Sequence, residues 1–164
     1  MTVLRLVLAL CLVVTLGACS SKFRTYNGPE VTRVIVYKGD RRMVLLHHGE
    51  VLARHRIDLG FAPAGHKQFE GDGRTPEGRY LIDRRNPNSS FHLSLGISYP
   101  NAADIEAARA AGKSPGGDIF IHGKAKPIQK RGSDWTAGCI SVSNREIEKI
   151  YSMVRNGTVI DIYP

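Results

Sequence analysis

Cysteine, long apolar runs and internal repeats are all scarce or missing in this sequence. The chain has only three cysteines, at Cys11, Cys19 and Cys139. Its apolar run near the N-terminus, from Leu6 to Val14, is shorter than the roughly 20 residues that a helix needs to cross a bilayer. Because no repeat is found, we expect the 164 residues to contain one domain with its own core.

Metal-ligand and phosphate-binding motifs are missing as well. Most histidines show no metal-ligand spacing with Cys139, so neither a metal nor another cofactor is expected. These histidines are His47, His48, His55, His66 and His92. The glycine-rich segment from Gly71 to Gly78 is not followed by a helix-forming segment, as a phosphate loop would be. We expect tight turns there, with positive φ angles at glycine.

The short apolar run fits a secretory signal, since Arg5 precedes it as in the charged start of a signal peptide. The sequence Leu-Gly-Ala-Cys at Leu16–Cys19 resembles the bacterial lipobox, whose cysteine is lipidated and becomes the first mature residue. We therefore expect residues 1–18 to be removed, Cys19 to carry lipid, and residues 19–30 to form a polar tether. The alternative is an ordinary signal peptide that is cut near Ala18.

Charge and signal together indicate where the protein works. Ser20, directly after the predicted lipidated cysteine, resembles the outer-membrane sorting class. We expect a lipid-anchored protein that faces the periplasm, and no nucleic-acid partner. The formal net charge of +8 suits anionic lipid or an anionic polymer such as cell wall, although a merely soluble basic surface is an equal alternative.

Cys139 and His122 are the candidates for catalysis. After processing, Cys139 has no intramolecular partner, so it is either a buried apolar residue or a reactive thiol. Gly138 favours the reactive thiol, because glycine lets a substrate approach closely. His122 lies seventeen positions earlier, also between an apolar run and a glycine. A histidine can take the thiol proton, and the thiolate can then attack a carbonyl to form a thioester.

Two further groups would complete such a site. The N–H groups of Gly138 and Cys139 are predicted to stabilise the oxyanion, and the carbonyl of Gly123 is predicted to orient His122. Trp135 is either a wall for the substrate or a core anchor. His92 could line the cleft, although a surface or structural position is favoured.

Hydrophobic patterns predict a mainly β fold with two helices. The first three strands should form an antiparallel meander. A helix is predicted from Asn101 to Ala111, capped by Asn101, and a second helix begins at a Ser143–Glu146 capping box and packs behind the strand that leaves Cys139. The predicted strands are 31–37, 43–47, 51–59, 79–83, 91–97, 119–121, 140–142 and 158–163.

Motifs spread from Thr32 to Tyr163 match one family. They are His122-Gly123, Thr136-Ala137-Gly138-Cys139-Ile140, Asn144, Gly157-Thr158-Val159, Gly73-Arg74-Thr75-Pro76-Glu77-Gly78 and Ser98-Tyr99-Pro100. Together they resemble the L,D-transpeptidase catalytic domain, the YkuD-like family. The resemblance implies an α+β fold, a β-sandwich or barrel with two helices, over residues 31–164. It also implies peptidoglycan stem peptides as substrate.

The resemblance assigns roles to single residues. Cys139 would attack the carbonyl at the L-centre of a diamino acid, and His122 would accept and donate the proton. The carbonyl of Gly123 would orient His122, and Gly138 would supply an oxyanion N–H. Substrate contacts are expected from a further group: Trp135, Thr136, Ser141, Tyr99 and His92.

Two departures from the family pattern concern the acceptor. Many members have His where this chain has Ala137, and Arg where it has Ser141. The Asp134-Trp135-Thr136 variant resembles a branch that includes lipoprotein-detaching amidases, so a wall-linked lipoprotein is a candidate partner. We expect L,D-transpeptidation, with hydrolysis by the same thioester as one alternative and a non-catalytic wall-binding lipoprotein as the other.

Overall fold

The computed structural model describes residues 21–125 and 132–164. The predicted signal peptide, Cys11 and the predicted lipidation site Cys19 lie outside the described residues and stay predictions. In the two described ranges, no helix is long and apolar enough to span a membrane.

Eight strands and two helices make up the regular structure of the described residues, which confirms the mainly β fold with two helices. The strands are β1 (Arg33–Tyr37), β2 (Arg42–His47), β3 (Glu50–Arg56), β4 (Gly78–Asn86), β5 (Ser94–Ile97), β6 (Phe120–His122), β7 (Ile140–Ser141) and β8 (Val159–Tyr163). The helices are α1 (Ala102–Ala110) and α2 (Asn144–Met153).

The strands hydrogen-bond in the order β3-β2-β1-β8-β4-β5-β6-β7. The predicted meander forms, because β1 pairs antiparallel with β2, and β2 with β3. The last strand, β8, returns to the middle of the sheet, parallel to β1 and antiparallel to β4. The long β4 then passes to β5, so it joins the meander to the half of the sheet that carries His122.

Both helices begin at capping boxes, which satisfy backbone N–H groups that the first turn leaves unpaired; the box at Ser143 and the cap at Asn101 were predicted, whereas the part of Asp104 in a box was not. At α1, Asn101 and Asp104 exchange side-chain and backbone hydrogen bonds. At α2, Ser143 and Glu146 do the same. The position of α2 differs from the prediction, since it packs mainly against β5 and β6. It therefore supports the strand of His122, while we had expected it behind the strand of Cys139.

The core reaches directly to the two candidate residues. Ile121 precedes His122 and Ile140 follows Cys139, and both isoleucines are fully buried. They are register partners in the parallel β6–β7 pair. Burying such a side chain stabilises the fold by about 1.5–3 kcal/mol, so the backbone next to each candidate is held by the core.

The start of the described chain contacts the domain. Lys22 donates through Nζ to the carbonyl of His92 at 3.1 Å, and Arg24 binds the carboxylate of Glu148 on α2 at 2.6 Å. The ring centroids of Phe23 and Tyr151 are 6.5 Å apart. The segment that we predicted as a tether thus lies along α2 at these residues.

Candidate active site

A cleft of about 540 Å³ opens beside the ends of β6 and β7. It brings together four predicted residues, which are His122, Cys139, Trp135 and Thr136. The remaining lining residues lie at the end of β4 and just after it, on β5, around the start of β6, and in the loop before Cys139: Asn86, Ser89, Ser90, Phe91, Ser94, Asp118, Phe120 and Ala137. A cleft with both candidate residues in its wall provides room for a substrate.

His122 is buried at the end of β6 with its orientation fixed. Its Nδ1 lies 2.6 Å from the carbonyl oxygen of Gly123, so Nδ1–H donates there and Nε2 is left as the acceptor. The ring packs against Phe91 at 4.5 Å and Trp135 at 5.7 Å between centroids. Burial lowers the pKa of His122, although the Gly123 carbonyl acts in the opposite direction. The imidazole is therefore neutral near neutral pH and can accept a proton.

Cys139 presents a protonated thiol to the cleft. Its Sγ accepts from the N–H of Phe120 at 3.4 Å and lies 3.5 Å from the carbonyl oxygen of Asp118. Burial raises the pKa of the Cys139 thiol, and the Asp118 carboxylate adds to this, whereas the Phe120 N–H and Lys67 oppose it. Within the described residues it is the free cysteine.

Together, these pKa directions describe a neutral resting pair. A raised thiol pKa and a lowered imidazole pKa both disfavour a preformed thiolate–imidazolium pair. His122 therefore suits general base catalysis, in which it takes the proton of Cys139 as the sulfur attacks a bound carbonyl.

The predicted oxyanion role of Gly138 does not match its geometry. Its N–H donates to Oγ1 of Thr136 at 3.2 Å within the loop, and its φ is +135°. A Cβ at Gly138 would lie 2.7 Å from the carbonyl oxygen of Arg74, so glycine serves close packing here. The N–H of Cys139 stays a prediction as oxyanion donor.

Thr136 shapes the turn in front of Cys139. Its hydroxyl donates to the carbonyl of Cys139 at 2.7 Å while it accepts from Gly138. The residue lines the cleft but is only 4% exposed. Its polar group therefore holds the nucleophile's loop, which limits the substrate contact that we predicted for it.

An ion pair that sequence reasoning missed anchors the same loop. Arg41, in the β1–β2 turn, binds both carboxylate oxygens of Asp134 at 2.7–3.0 Å. Asp134 also accepts from the N–H of Leu59 at 3.0 Å. Although burial acts in the opposite direction, these contacts lower the pKa of Asp134. The two partners are 93 positions apart, and nothing in the local sequence links them.

Three predicted substrate contacts lie away from the cleft. Ser141 is 0% exposed, since the register of β7 turns it into the interior. Tyr99 is 4% exposed, and its hydroxyl donates to the carbonyl of Pro115 at 3.0 Å. His92 has its Nε2 3.0 Å from Glu148 on α2, which is the structural position that we favoured. None of the three lines the described cleft.

The first residue of β6 and the segment before it supply groups that sequence reasoning did not select. Asp118 lines the cleft with an 89% exposed side chain and a φ of +54°, which is uncommon outside glycine. The N–H of Phe120 points at the sulfur. The only sequence signal was their position just before His122.

Replacing Asp118 with asparagine should make Cys139 easier to ionise. The negative charge of Asp118 raises the thiol pKa, so its removal should move the midpoint of alkylation rate against pH to a lower value. The shift should shrink in high salt, because the charge is exposed. Asp40→Asn, in an exposed turn pair with Arg42, is the control. An unchanged midpoint in Asp118→Asn would contradict the assigned electrostatics.

Comparison with known proteins identifies the same region. The family model of the L,D-transpeptidase catalytic domain (YkuD) matches residues 31–162. The protein YafK of Escherichia coli (strain K12), which is named for the same family, is 32% identical over 124 residues. That match covers 70% of this chain and 45% of YafK, so the chain spans less than half of that relative.

Solved structures share the fold. The helical cell shape determining protein Pgp2 from Campylobacter jejuni superimposes with a TM-score of 0.63 at 26% identity, covering 88% of this chain and 51% of Pgp2. L,D-transpeptidase 1 from Mycobacterium tuberculosis superimposes with a TM-score of 0.53 at 14% identity, covering 82% of this chain and 62% of its own. The second likeness concerns the fold alone.

Proposed function

This chain belongs to the L,D-transpeptidase catalytic domain family, and from that premise we propose that it cleaves peptidoglycan stem peptides through a thioester on Cys139. The observation that carries the proposal is the shared cleft of Cys139 and His122, with the Gly123 carbonyl holding Nδ1 of the histidine. The names of its relatives fit, since one is a cell shape determinant. The presence of the cleft argues against the non-catalytic alternative.

The first half-reaction follows from the resting protonation states. Sγ of Cys139 forms a bond to the stem-peptide carbonyl as its proton passes to Nε2 of His122. The tetrahedral intermediate then collapses, the carbon–nitrogen bond breaks, and the leaving amine takes the proton from His122. The product is a thioester on Cys139 and a neutral imidazole that is ready to act again.

The second half-reaction depends on the acceptor. An amine from another stem peptide gives a cross-link, and water gives a shortened peptide; in both cases His122 takes the acceptor's proton and returns it to the sulfur. Ala137 is exposed in the cleft wall, so the acceptor side has no side chain of the size that many family members carry there. Ser141 is buried, so its small side chain does not enlarge the acceptor side of the cleft.

We propose that hydrolysis is at least comparable with cross-linking. Water at about 55 M needs no binding site, so a weakly bound amine competes poorly with it. The purified enzyme should be incubated with tetrapeptide muropeptides, and separately with sacculi that carry bound lipoprotein, and the products identified by mass spectrometry. We expect tripeptide or released lipoprotein. If the only product is cross-linked dimer, the enzyme is a transpeptidase and the proposed hydrolysis is wrong. If neither substrate gives any product, the proposed function itself is contradicted.

We further propose that lipid on Cys19 anchors the enzyme to the outer membrane, facing the periplasm. Lys22 contacts the carbonyl of His92 beside the cleft segment, and three residues span at most about 11 Å. An anchor at Cys19 would therefore hold the cleft close to the lipid surface. Cys19→Ser should release a soluble protein or block processing. A mature wild-type mass without acyl groups would contradict the anchor.

A further inference from the structure

Arg84 crosses three strands to reach the rim of the cleft. It pairs with Gly96 on β5, and Gly96 pairs with Phe120 on β6. A Cβ at Gly96 would lie 2.3 Å from Cγ of Arg84, so the missing side chain lets the arginine lie flat across the sheet. Its guanidinium carbon is 4.8 Å from the centroid of the Phe120 ring. The path of the Arg84 side chain over Gly96 places its guanidinium next to Phe120, a residue that lines the cleft.

The guanidinium ends in an exposed ion pair at the cleft. Its Nη2 lies 3.1 Å from a carboxylate oxygen of Asp118, with side chains 44% and 89% exposed. An ion pair this exposed is weak because water screens it, so a ligand can separate it at little cost. Asp83 contacts Nη1 at 3.3 Å and can keep Arg84 in place while Asp118 moves.

Among the described residues, Arg84 brings a cation to the edge of the cleft, because its Nη2 contacts the lining residue Asp118. Position 141, where many family members have arginine, holds a buried serine. Lys67 influences Cys139 electrostatically, but it is 3% exposed and lies 2.9 Å from the carboxylate of Asp72. The ammonium of Lys67 is therefore paired within its own loop and buried away from a substrate. The guanidinium of Arg84, in contrast, has further N–H donors beyond the two that bind Asp83 and Asp118.

We propose that Arg84 and Asp118 together recognise a zwitterionic carbon of the stem peptide, the far centre of its diamino acid, which carries an ammonium and a carboxylate. Arg84 binds the carboxylate and Asp118 binds the ammonium. The proposal rests on the proposed function, because it names what selects the stem peptide at the same site.

The geometry suits a diamino acid whose near centre is attacked by Cys139. The two centres of such a residue are separated by four carbon–carbon bonds of about 1.5 Å each. The carbonyl oxygen of Asp118 is 3.5 Å from Sγ, and its carboxylate acts electrostatically on the Cys139 thiol, so both lie in the same part of the cleft as the nucleophile. A complementary pair of charges there would bind the far centre while the near carbonyl meets the sulfur.

Binding measured without turnover tests the pair directly. In a Cys139→Ala background, affinity is measured for a muropeptide with diaminopimelate and for one with lysine, whose side chain has no carboxylate. Arg84→Gln should weaken binding of the diaminopimelate ligand by about ten- to a hundredfold, the size of a lost charge-assisted contact, and leave the lysine ligand unchanged. Asp118→Asn should also weaken the diaminopimelate ligand. Arg109→Gln is the matched control, since Arg109 forms an exposed pair with Glu106 on α1.

The outcomes separate recognition from catalysis. Equal losses for the two ligands, no loss in Arg84→Gln, or no binding of either ligand would overturn the recognition pair. If selective binding depends on Arg84 but Cys139-containing enzyme turns over no muropeptide, recognition stands and the proposed function fails. If the enzyme turns over diaminopimelate and lysine substrates without preference, the proposed function stands and the recognition pair fails.

Discussion

Cys139→Ala is expected to abolish turnover and leave the fold intact. The thiol provides the electron pair of the thioester, and no neighbouring side chain can replace it. Residual kcat on a tetrapeptide muropeptide should fall to less than about one part in a thousand of wild type, given the usual size of nucleophile losses. Product formation is followed by mass spectrometry over a long incubation.

The fold should tolerate this substitution. Cys139 is only partly buried, and its sulfur makes two weak contacts at 3.4 and 3.5 Å. The melting temperature of Cys139→Ala should therefore stay close to that of wild type. Ser90→Ala, at another residue that lines the cleft, is the control for a small change in the same cavity. A folded Cys139→Ala protein with substantial turnover would remove the nucleophile from the mechanism.

The elements that could be predicted from sequence are those with local causes. The two capping boxes lie within four consecutive residues each, Asn101–Asp104 and Ser143–Glu146, so their hydrogen bonds can be inferred without knowledge of the fold. The meander follows from short turns between neighbouring strands. His122 and Cys139 were found because each stands between an apolar β-run and a glycine.

The elements that could not be predicted depend on pairing between distant segments. Ser141 lies in a two-residue strand, and a shift of one residue in such a strand would turn its side chain to the other face. Gly138 has a positive φ and lies too close to the carbonyl of Arg74, 64 positions earlier in the sequence, for a side chain to fit. Arg41 binds Asp134 across 93 positions of sequence. The spacing of residues along the sequence predicts none of these three features.

The location of α2 shows how the two candidate residues are supported differently. The helix packs mainly against β5 and β6, so His122 is held from behind by the core. Cys139 is held on one side by the buried Ile140 and on the other by polar contacts of its own loop, through Thr136 and the Arg41–Asp134 pair. The nucleophile's position therefore depends on polar contacts as well as on apolar packing.

His122→Gln is expected to lower kcat by about 10²–10⁴-fold, the usual contribution of a general acid–base group, with little change in KM. Burial lowers the pKa of His122, so wild-type activity should be lost on acidification only below the ordinary histidine pKa of about 6.5. Kcat measured against pH should show this acid limb in wild type and not in the variant. His92→Gln is the matched control, because His92 pairs with Glu148 outside the cleft and should keep both kcat and the limb. A His122→Gln enzyme with the same acid limb as wild type would assign the proton transfer to another group.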